Sequence, residues 1–106
     1  YLGVELEREV RDYYFICCAG IYTASIMADG SIGACLDIEK RPETIQGNIY
    51  NDRFSDVWKK RFEIFRRDFA DLNEKCASCS EREFCAGGAK HSWDYDADYQ
   101  RMCFLR

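Results

Sequence analysis

Three cysteines, Cys76, Cys79 and Cys85, lie close together in this chain with the spacing C-x2-C-x5-C. A C-x2-C pair lets two thiolates point at one metal, because the turn between them reverses the chain, and Cys85 can supply a third ligand. Gly87 and Gly88 follow closely, and adjacent glycines let the backbone pass near a bulky inorganic centre. The pattern therefore predicts a metal centre.

A fourth ligand has to come from elsewhere in the chain, since iron–sulfur clusters are held mostly by four cysteine thiolates. Cys103, the next cysteine after Cys85, is the candidate. Thiolates alone do not choose between an iron cluster and Zn²⁺. A structural zinc module, built from the same four cysteines and serving interaction with a partner, is therefore the alternative.

The number of cysteines bears on the cellular compartment. The chain has seven, an odd number, so a framework made only of disulfides would leave one thiol over. A C-x2-C pair without a secretory signal is typical of metal binding in a reducing cytosol. We therefore expect a cytoplasmic protein whose single small domain is stabilised partly by metal, rather than a disulfide scaffold.

Charge and hydropathy exclude two classes of partner. The net charge is −4 and the pI about 5.0, which argues against a nucleic-acid-binding surface. No apolar run approaches the roughly 18 residues needed to cross a bilayer, and no signal peptide opens the chain. The first residue is Tyr1 rather than Met, which indicates a piece of a longer polypeptide.

A β-hairpin is predicted in the first half of the chain. Residues 22–27 alternate between the two faces of a strand, and Asp29-Gly30 is typical of a type I′ turn. A second strand, residues 31–35, returns the chain to Cys35, which the hairpin places beside Cys17. The alternative is a hairpin whose cysteines are incidental core residues.

An amphipathic helix is predicted next, after a loop over residues 36–46 and a turn over residues 47–49. Apolar residues recur every three or four positions from Phe54 to Leu72, which indicates a helix of about 16 residues, capped by Ser55 or Asp52. We expect its aromatic stripe to be core and its basic face to be solvated. The stripe is Trp58, Phe62, Phe65 and Phe69, and the basic residues are Lys59, Lys60, Arg61, Arg66 and Arg67.

The fold class expected is therefore α+β: a small metal-stapled domain in which a hairpin and a helix precede an irregular, cysteine-rich C-terminal segment. The acidic and aromatic tail is expected to loop back and bring Cys103 to the other three cysteines. Residues 1–16 show no clean period and fit a strand, a short helix or a linker.

These residues, taken in order, resemble the SPASM domain over about residues 17–103. The signature is Cys17-x-Ala19-Gly20, Ile26, Asp29-Gly30, Cys35, Gly47-Asn48-Ile49, Trp58 and C-x2-C-x5-C-x-G-G. The resemblance implies the C-terminal auxiliary iron–sulfur domain of a radical S-adenosylmethionine enzyme that modifies peptides or proteins. It makes residues 17–106 that domain, and residues 1–16 a linker or the tail of a missing upstream catalytic domain.

The resemblance also implies two [4Fe–4S] sites. It assigns Cys76, Cys79, Cys85 and Cys103 to the second cluster. It assigns Cys17 and Cys35 to the first, with a cysteine at the position that Ala89 occupies here and a fourth ligand upstream that no cysteine supplies. Cys18 and His91 are the candidate substitutes. The first site is therefore predicted to be incomplete, open to an external ligand, or absent.

The catalytic half of such enzymes carries a C-x3-C-x2-C loop, and this sequence has none. The resemblance thus implies that S-adenosylmethionine binds only to the missing domain of the same polypeptide. It implies no catalysis by these residues alone. Their implied role is electron transfer or the positioning of a peptide or protein substrate. Zinc is expected to replace iron if the fragment is prepared in air.

Overall fold

The computed structural model describes residues 1–11 and 15–105. Within these residues, short helices accompany two small antiparallel sheets, which confirms the α+β class. The contacts divide the chain into two units: a middle unit, Cys18–Arg67, and a terminal unit, which combines Tyr1–Cys17 with Asp68–Arg106. No helix in the described part of the chain is long and apolar enough to cross a membrane.

The middle unit is built on a three-stranded antiparallel sheet in the order β1-β2-β3. Its strands are β1 Ser25–Ile26, β2 Ser31–Gly33 and β3 Gly47–Asn48. The central Ile32 is 0% exposed and lies opposite Ile26 on one side and Gly47 on the other. The predicted hairpin is confirmed with shorter strands, and β3 lies where only a turn was expected.

The hairpin turn differs from the predicted type I′ turn, which needs a positive φ at both central residues. Of Asp29 and Gly30, only Gly30 has a positive φ, 86°. Its N–H donates to the Met27 carbonyl at 2.9 Å. The Asp29 carboxylate accepts the Ser31 N–H at 3.0 Å and pairs with Lys40. The type I′ prediction is wrong, and the side chain of Asp29 stabilises the turn instead.

The predicted helix of about 16 residues is wrong in length. It is divided into α2 Phe54–Lys60 and α3 Glu63–Arg66, and the chain is extended at Arg67. In a continuous helix, Phe62 would lie roughly 140° around the axis from Val57, so one helix face could not bury both. The break between α2 and α3 allows both to enter the core, where Phe62 is 0% and Val57 1% exposed.

The predicted caps of α2 are also wrong. The N-cap is Arg53, with no side-chain capping bond, and Ser55 lies inside the helix. The Asp52 carboxylate accepts the N–H of Asn48 at 3.0 Å and pairs with Arg61 at 3.2 Å. Asp52 therefore ties β3 to the end of α2 rather than capping the start of that helix.

The aromatic stripe is core, as predicted, with Trp58 half-buried at its edge. Of the exposed basic residues, Arg66 lies across the aromatic rings, with its guanidinium 4.5 Å from the Trp58 ring centroid and 5.4 Å from that of Phe62. Its Nε donates to the Gly20 carbonyl at 2.9 Å. Arg66 thus fastens the segment that begins the middle unit to the end of the helical region.

The terminal unit begins with α1 Val4–Val10, in the stretch whose structure the sequence left undecided. Glu7 is 0% exposed on this helix. Its carboxylate accepts the N–H of Leu2 at 3.1 Å and that of Phe15 at 3.0 Å, and it pairs with Arg11 at 3.1 Å. Burial works to raise the pKa of Glu7, but these hydrogen bonds outweigh it and hold the pKa below its ordinary value.

The rest of the terminal unit is a series of single turns and one hairpin. Phe69 packs edge-on against Trp93, with centroids 5.2 Å apart. The predicted return of the tail is confirmed by a pair of antiparallel strands, in which Trp93 lies opposite Gln100. The elements are the 3-10 helix Phe69–Leu72, α4 Glu74–Ala77, α5 Arg82–Cys85, the 3-10 helix Lys90–Ser92, β4 Trp93–Asp94 and β5 Tyr99–Gln100.

Candidate metal centre

Cys76 is positioned by α4, whose start is capped by Asn73. The Asn73 side-chain oxygen accepts the N–H of Lys75 at 3.0 Å and that of Cys76 at 3.3 Å. Its amide nitrogen donates to the Asp98 carbonyl at 2.9 Å. One side chain therefore fixes the first cysteine and ties it to the turn between β4 and β5.

Cys79 and Cys85 are held by consecutive turns rather than by the irregular segment that was predicted. The N–H of Cys79 donates to the Cys76 carbonyl at 3.2 Å, and the N–H of Arg82 donates to the Cys79 carbonyl at 3.2 Å. The Arg82 guanidinium pairs with Asp68 at 2.9 Å and also with Asp71. Cys76 and Cys85 lie within single-turn helices, and Cys79 lies between them.

The chain turns sharply after Cys85. Ala86, Gly87 and Gly88 are consecutive residues with positive φ, at 49°, 88° and 79°. A Cβ on Gly87 would lie 2.8 Å from the Phe69 Cβ, and a Cβ on Gly88 would lie 2.7 Å from Nε2 of Gln100. The glycine pair is therefore required by the backbone conformation and by two protein neighbours.

Cys103 is carried by the segment that leaves β5. Gln100, 8% exposed at the end of that strand, donates through Nε2 to the carbonyls of Gly87 at 2.8 Å and Ala89 at 2.9 Å. Its Oε1 accepts the Met102 N–H at 3.1 Å. Sequence reasoning missed this role, because a single glutamine in a polar tail has no pattern that distinguishes it.

All four predicted cysteines of the second site line one cavity of about 550 Å³ in the terminal unit. Each of the four thiols is half-buried. The wall also includes residues from the N-terminal segment, to which the sequence assigned no site role. The four cysteines are Cys76, Cys79, Cys85 and Cys103, and the N-terminal residues are Tyr1, Arg11 and Phe15.

The thiols influence one another's ionisation. Burial raises the pKa of Cys76, and the neighbouring Cys103 and Cys79 thiolates raise it further. Burial also raises the pKa of Cys85; a hydrogen bond from the Gly87 N–H acts in the opposite direction, whereas Cys76 and Cys103 add to the rise. The helix α4, the helix α5 and the segment after β5 therefore bring the sulfurs of Cys76, Cys85 and Cys103 near enough to interact.

The cysteines surround the cavity without meeting at one point. Among residues 1–11 and 15–105, no group of three or more His, Cys, Asp or Glu side chains converges so that it could hold a single metal ion. The four predicted ligands are all sulfur, and they border an open volume. An all-sulfur set of this kind suits a thiophilic metal or an iron–sulfur centre.

The residues predicted for the first site fall in both units. Cys17 belongs to the terminal unit, where its Sγ lies 3.5 Å from the backbone N of Lys90, the neighbour of Ala89. Cys35 belongs to the middle unit, and its Sγ accepts the Asp37 N–H at 3.5 Å. The shared site of Cys17 and Cys35 stays a prediction.

The two candidate substitutes are also placed differently. His91 is exposed and lines the cavity of the four cysteines. Cys18 lies in the middle unit, where its carbonyl accepts the N–H groups of Ile21 and Tyr22, both at 3.0 Å. All seven cysteines lie among the described residues, and none of them forms a disulfide there.

The fold and the cavity together define a cysteine-rich protein with a candidate site for an inorganic cofactor. A family model described as SPASM, iron–sulfur cluster-binding domain, matches residues 17–80, more than half of the chain. The chain belongs to the SPASM family of iron–sulfur cluster-binding domains. The match includes Cys17, Cys18, Cys35, Cys76 and Cys79 and ends before Cys85 and Cys103. No curated protein and no solved structure matches the chain.

Proposed function

We propose that Cys76, Cys79, Cys85 and Cys103 bind one [4Fe–4S] cluster and that the chain is the auxiliary cluster domain of a radical S-adenosylmethionine enzyme. The observation that carries this proposal is the single cavity lined by all four thiols, in a chain whose family binds iron–sulfur clusters. Four cysteine thiolates are the usual ligand set of a [4Fe–4S] cluster.

The arrangement favours a cluster over the zinc alternative. A structural zinc site gathers four ligands around one ion, with Zn–S distances of about 2.3 Å. The described residues contain no group of three His, Cys, Asp or Glu side chains near enough to one another to hold a single metal ion. The four thiols instead border a cavity of about 550 Å³. A [4Fe–4S] cluster is a larger body than one ion, and four thiols that border a cavity suit it better.

A bound [4Fe–4S] cluster would supply single-electron chemistry. The residues of the chain set the conditions for it. The backbone N–H of Gly87 acts against the rise in the pKa of Cys85, and backbone groups that stabilise a ligand thiolate also influence the reduction potential of a cluster. The half-buried sulfurs limit the access of solvent, which acts on the same quantity. These features support a role in carrying electrons to or from a substrate radical, or in positioning the substrate.

The proposed partners are an upstream domain of the same polypeptide, with a C-x3-C-x2-C loop that binds S-adenosylmethionine, and a peptide or protein that is modified. Both follow from the usual context of the SPASM family. We propose a cytoplasmic location, which the metal-ligand spacing of Cys76 and Cys79 supports because cytosolic cysteines are kept reduced.

The test is the metal content of protein purified without oxygen. The proposal expects a brown protein that absorbs at about 400 nm and loses this absorbance and its iron in Cys103→Ala. Cys18→Ala is the matched control, because Cys18 does not line the cavity, and it should retain both. Unchanged iron in Cys103→Ala, or a colourless wild-type protein that holds one zinc ion, would refute the proposal.

A further inference from the structure

We infer that Gln100 is a positioning residue, which sets the place of the fourth ligand, Cys103, relative to Cys85. This inference rests on the proposed function, since it concerns the same four cysteines. Gln100 is 8% exposed, although it carries a polar amide. A buried amide is tolerated when its donors and acceptor find partners, and here all of them do.

The partners of the Gln100 amide belong to two segments, each of which carries one ligand. The two N–H groups of Nε2 donate to the carbonyls of Gly87, at 2.8 Å, and Ala89, at 2.9 Å, on the turn that follows Cys85. Oε1 accepts the N–H of Met102 at 3.1 Å, and Met102 directly precedes Cys103. The side chain therefore bridges the two segments.

The local backbone is shaped for this bridge. Gly88 has a φ of 79°, and a Cβ at that position would lie 2.7 Å from Nε2 of Gln100. Only a residue without a side chain lets the amide approach the turn this closely. Both Gly88 and Gln100 also line the cavity, so the bridge is adjacent to the space between the ligands.

The bridge matters more for Cys103 than for the other cysteines. Cys76, Cys79 and Cys85 lie on consecutive turns, where short backbone hydrogen bonds fix their spacing. Cys103 comes from a strand end, and a ligand distant in sequence depends on tertiary contacts for its position. Residues that orient a metal ligand typically change metal affinity by about 10–100-fold when they are replaced.

The experiment is pulse alkylation of the metal-loaded protein, with each cysteine quantified by peptide mass spectrometry. The variant is Gln100→Glu, which keeps the shape of the side chain but removes the paired donors. We expect Cys103 to be alkylated about tenfold faster than in the wild-type protein, while Cys76 stays protected. The EPR spectrum of the reduced protein should change as well. Gln46→Glu is the matched control, because the side chain of Gln46 is given one exposed hydrogen bond, to the Glu43 carbonyl at 3.0 Å.

Each outcome decides the matter. Unchanged labelling refutes the inference, and equal labelling of all four cysteines shows that Gln100 only supports the fold. If Gln100→Glu takes up no metal, the milder Gln100→Asn is pulse-labelled and judged by the same criterion. A wild-type protein that holds zinc instead of iron overturns the proposed function, yet it leaves this test intact, because protection of four thiolates is measured in the same way.

Discussion

The carboxylate of Glu81 accepts the backbone N–H of Val4 at 2.6 Å, so the loop between Cys79 and Cys85 holds the first turn of α1. The same oxygen accepts the Tyr1 hydroxyl at 3.0 Å. Glu81 thus connects the N-terminal segment to the cysteine loop, two parts of the terminal unit that are far apart in sequence. This contact explains how a segment without its own pattern comes to line the cavity.

The Glu81 contact predicts a change in the ionisation of Tyr1. Burial raises the pKa of the Tyr1 phenol, and the hydrogen bond and negative charge of Glu81 raise it further, because both disfavour the phenolate. In Glu81→Gln the pKa should fall toward its ordinary value of 10.0 while staying above it. NMR titration of a labelled Tyr1 measures this. Glu83→Gln, an exposed change in α5, should leave the pKa of Tyr1 in place; an equal fall in both variants contradicts the assignment.

The main elements of the middle unit were predictable where short-range pattern decides them. Alternation over residues 22–27 and the Asp29-Gly30 pair indicated a hairpin, and the hairpin is present. The pattern could not give β3 Gly47–Asn48, because a two-residue strand has no period and forms only when β2 offers an open edge. The break between α2 and α3 was missed for a related reason. The periodicity shows which residues are apolar, but it does not show that Phe62 and Val57 can both be buried only if the helix ends between them.

The candidate site was predictable as a set of residues but not as a structure. The spacing of Cys76, Cys79 and Cys85 indicated a shared centre, and Cys103 was the candidate fourth ligand as the next cysteine in the chain. The supports of the site are single polar side chains, Asn73 and Gln100, whose partners are distant in sequence. No local rule identifies such partners, because their hydrogen bonds exist only after the tail has folded back.

We expect the substitution of Gly20 by alanine to lower the free energy of unfolding strongly. Its φ is 78°, and a Cβ there would lie 2.4 Å from the Phe65 Cβ in the core. Gly20→Ala should lower the free energy of unfolding by about 2–4 kcal/mol, from backbone strain and overpacking together. Gly33→Ala is the control, since its Cβ would meet the flexible end of Met27 at 3.2 Å, and it should lose about 1 kcal/mol or less. Denaturant unfolding that gives equal losses would contradict this account.

Glu7 predicts a pH dependence of stability. Its pKa in the folded chain lies below the ordinary value of 4.5. The ionised carboxylate therefore stabilises the fold fully above that value, and the contribution is lost as the pH falls through the lowered pKa. Glu7→Gln should lower the melting temperature at neutral pH. Below about pH 4.5, the melting temperature of this variant should fall less with decreasing pH than that of the wild-type protein. Glu5→Gln, an exposed change on α1, is the control; an unchanged acid profile in Glu7→Gln would show that another group is responsible.

Metal removal should reduce hydrogen-exchange protection more in the terminal unit than in the middle unit. Binding to a site that the unfolded chain lacks appears as folding free energy, roughly 10 kcal/mol or more for structural zinc. The middle unit has its own buried core in Ile32, Phe62 and Phe65 and serves as the internal control. Hydrogen exchange after chelation should show lost protection across residues 76–103. Full protection of that range in metal-free protein would show that the metal does not stabilise it.

The number of bound irons should be about four, the content of one [4Fe–4S] cluster, and not about eight. The first site lacks a thiol at Ala89, although Sγ of Cys17 lies 3.5 Å from the backbone N of the next residue, Lys90.

Ala89→Cys would add a sulfur beside the contact between Cys17 and Lys90. Anaerobic reconstitution of this variant should therefore raise the iron content above that of the wild-type protein. Ala86→Cys is the control, because Ala86 is exposed on the turn after Cys85, and it should bind no additional iron. About eight irons in the unaltered protein would mean that other ligands complete the first site, and Cys18 and His91 would then be replaced in turn.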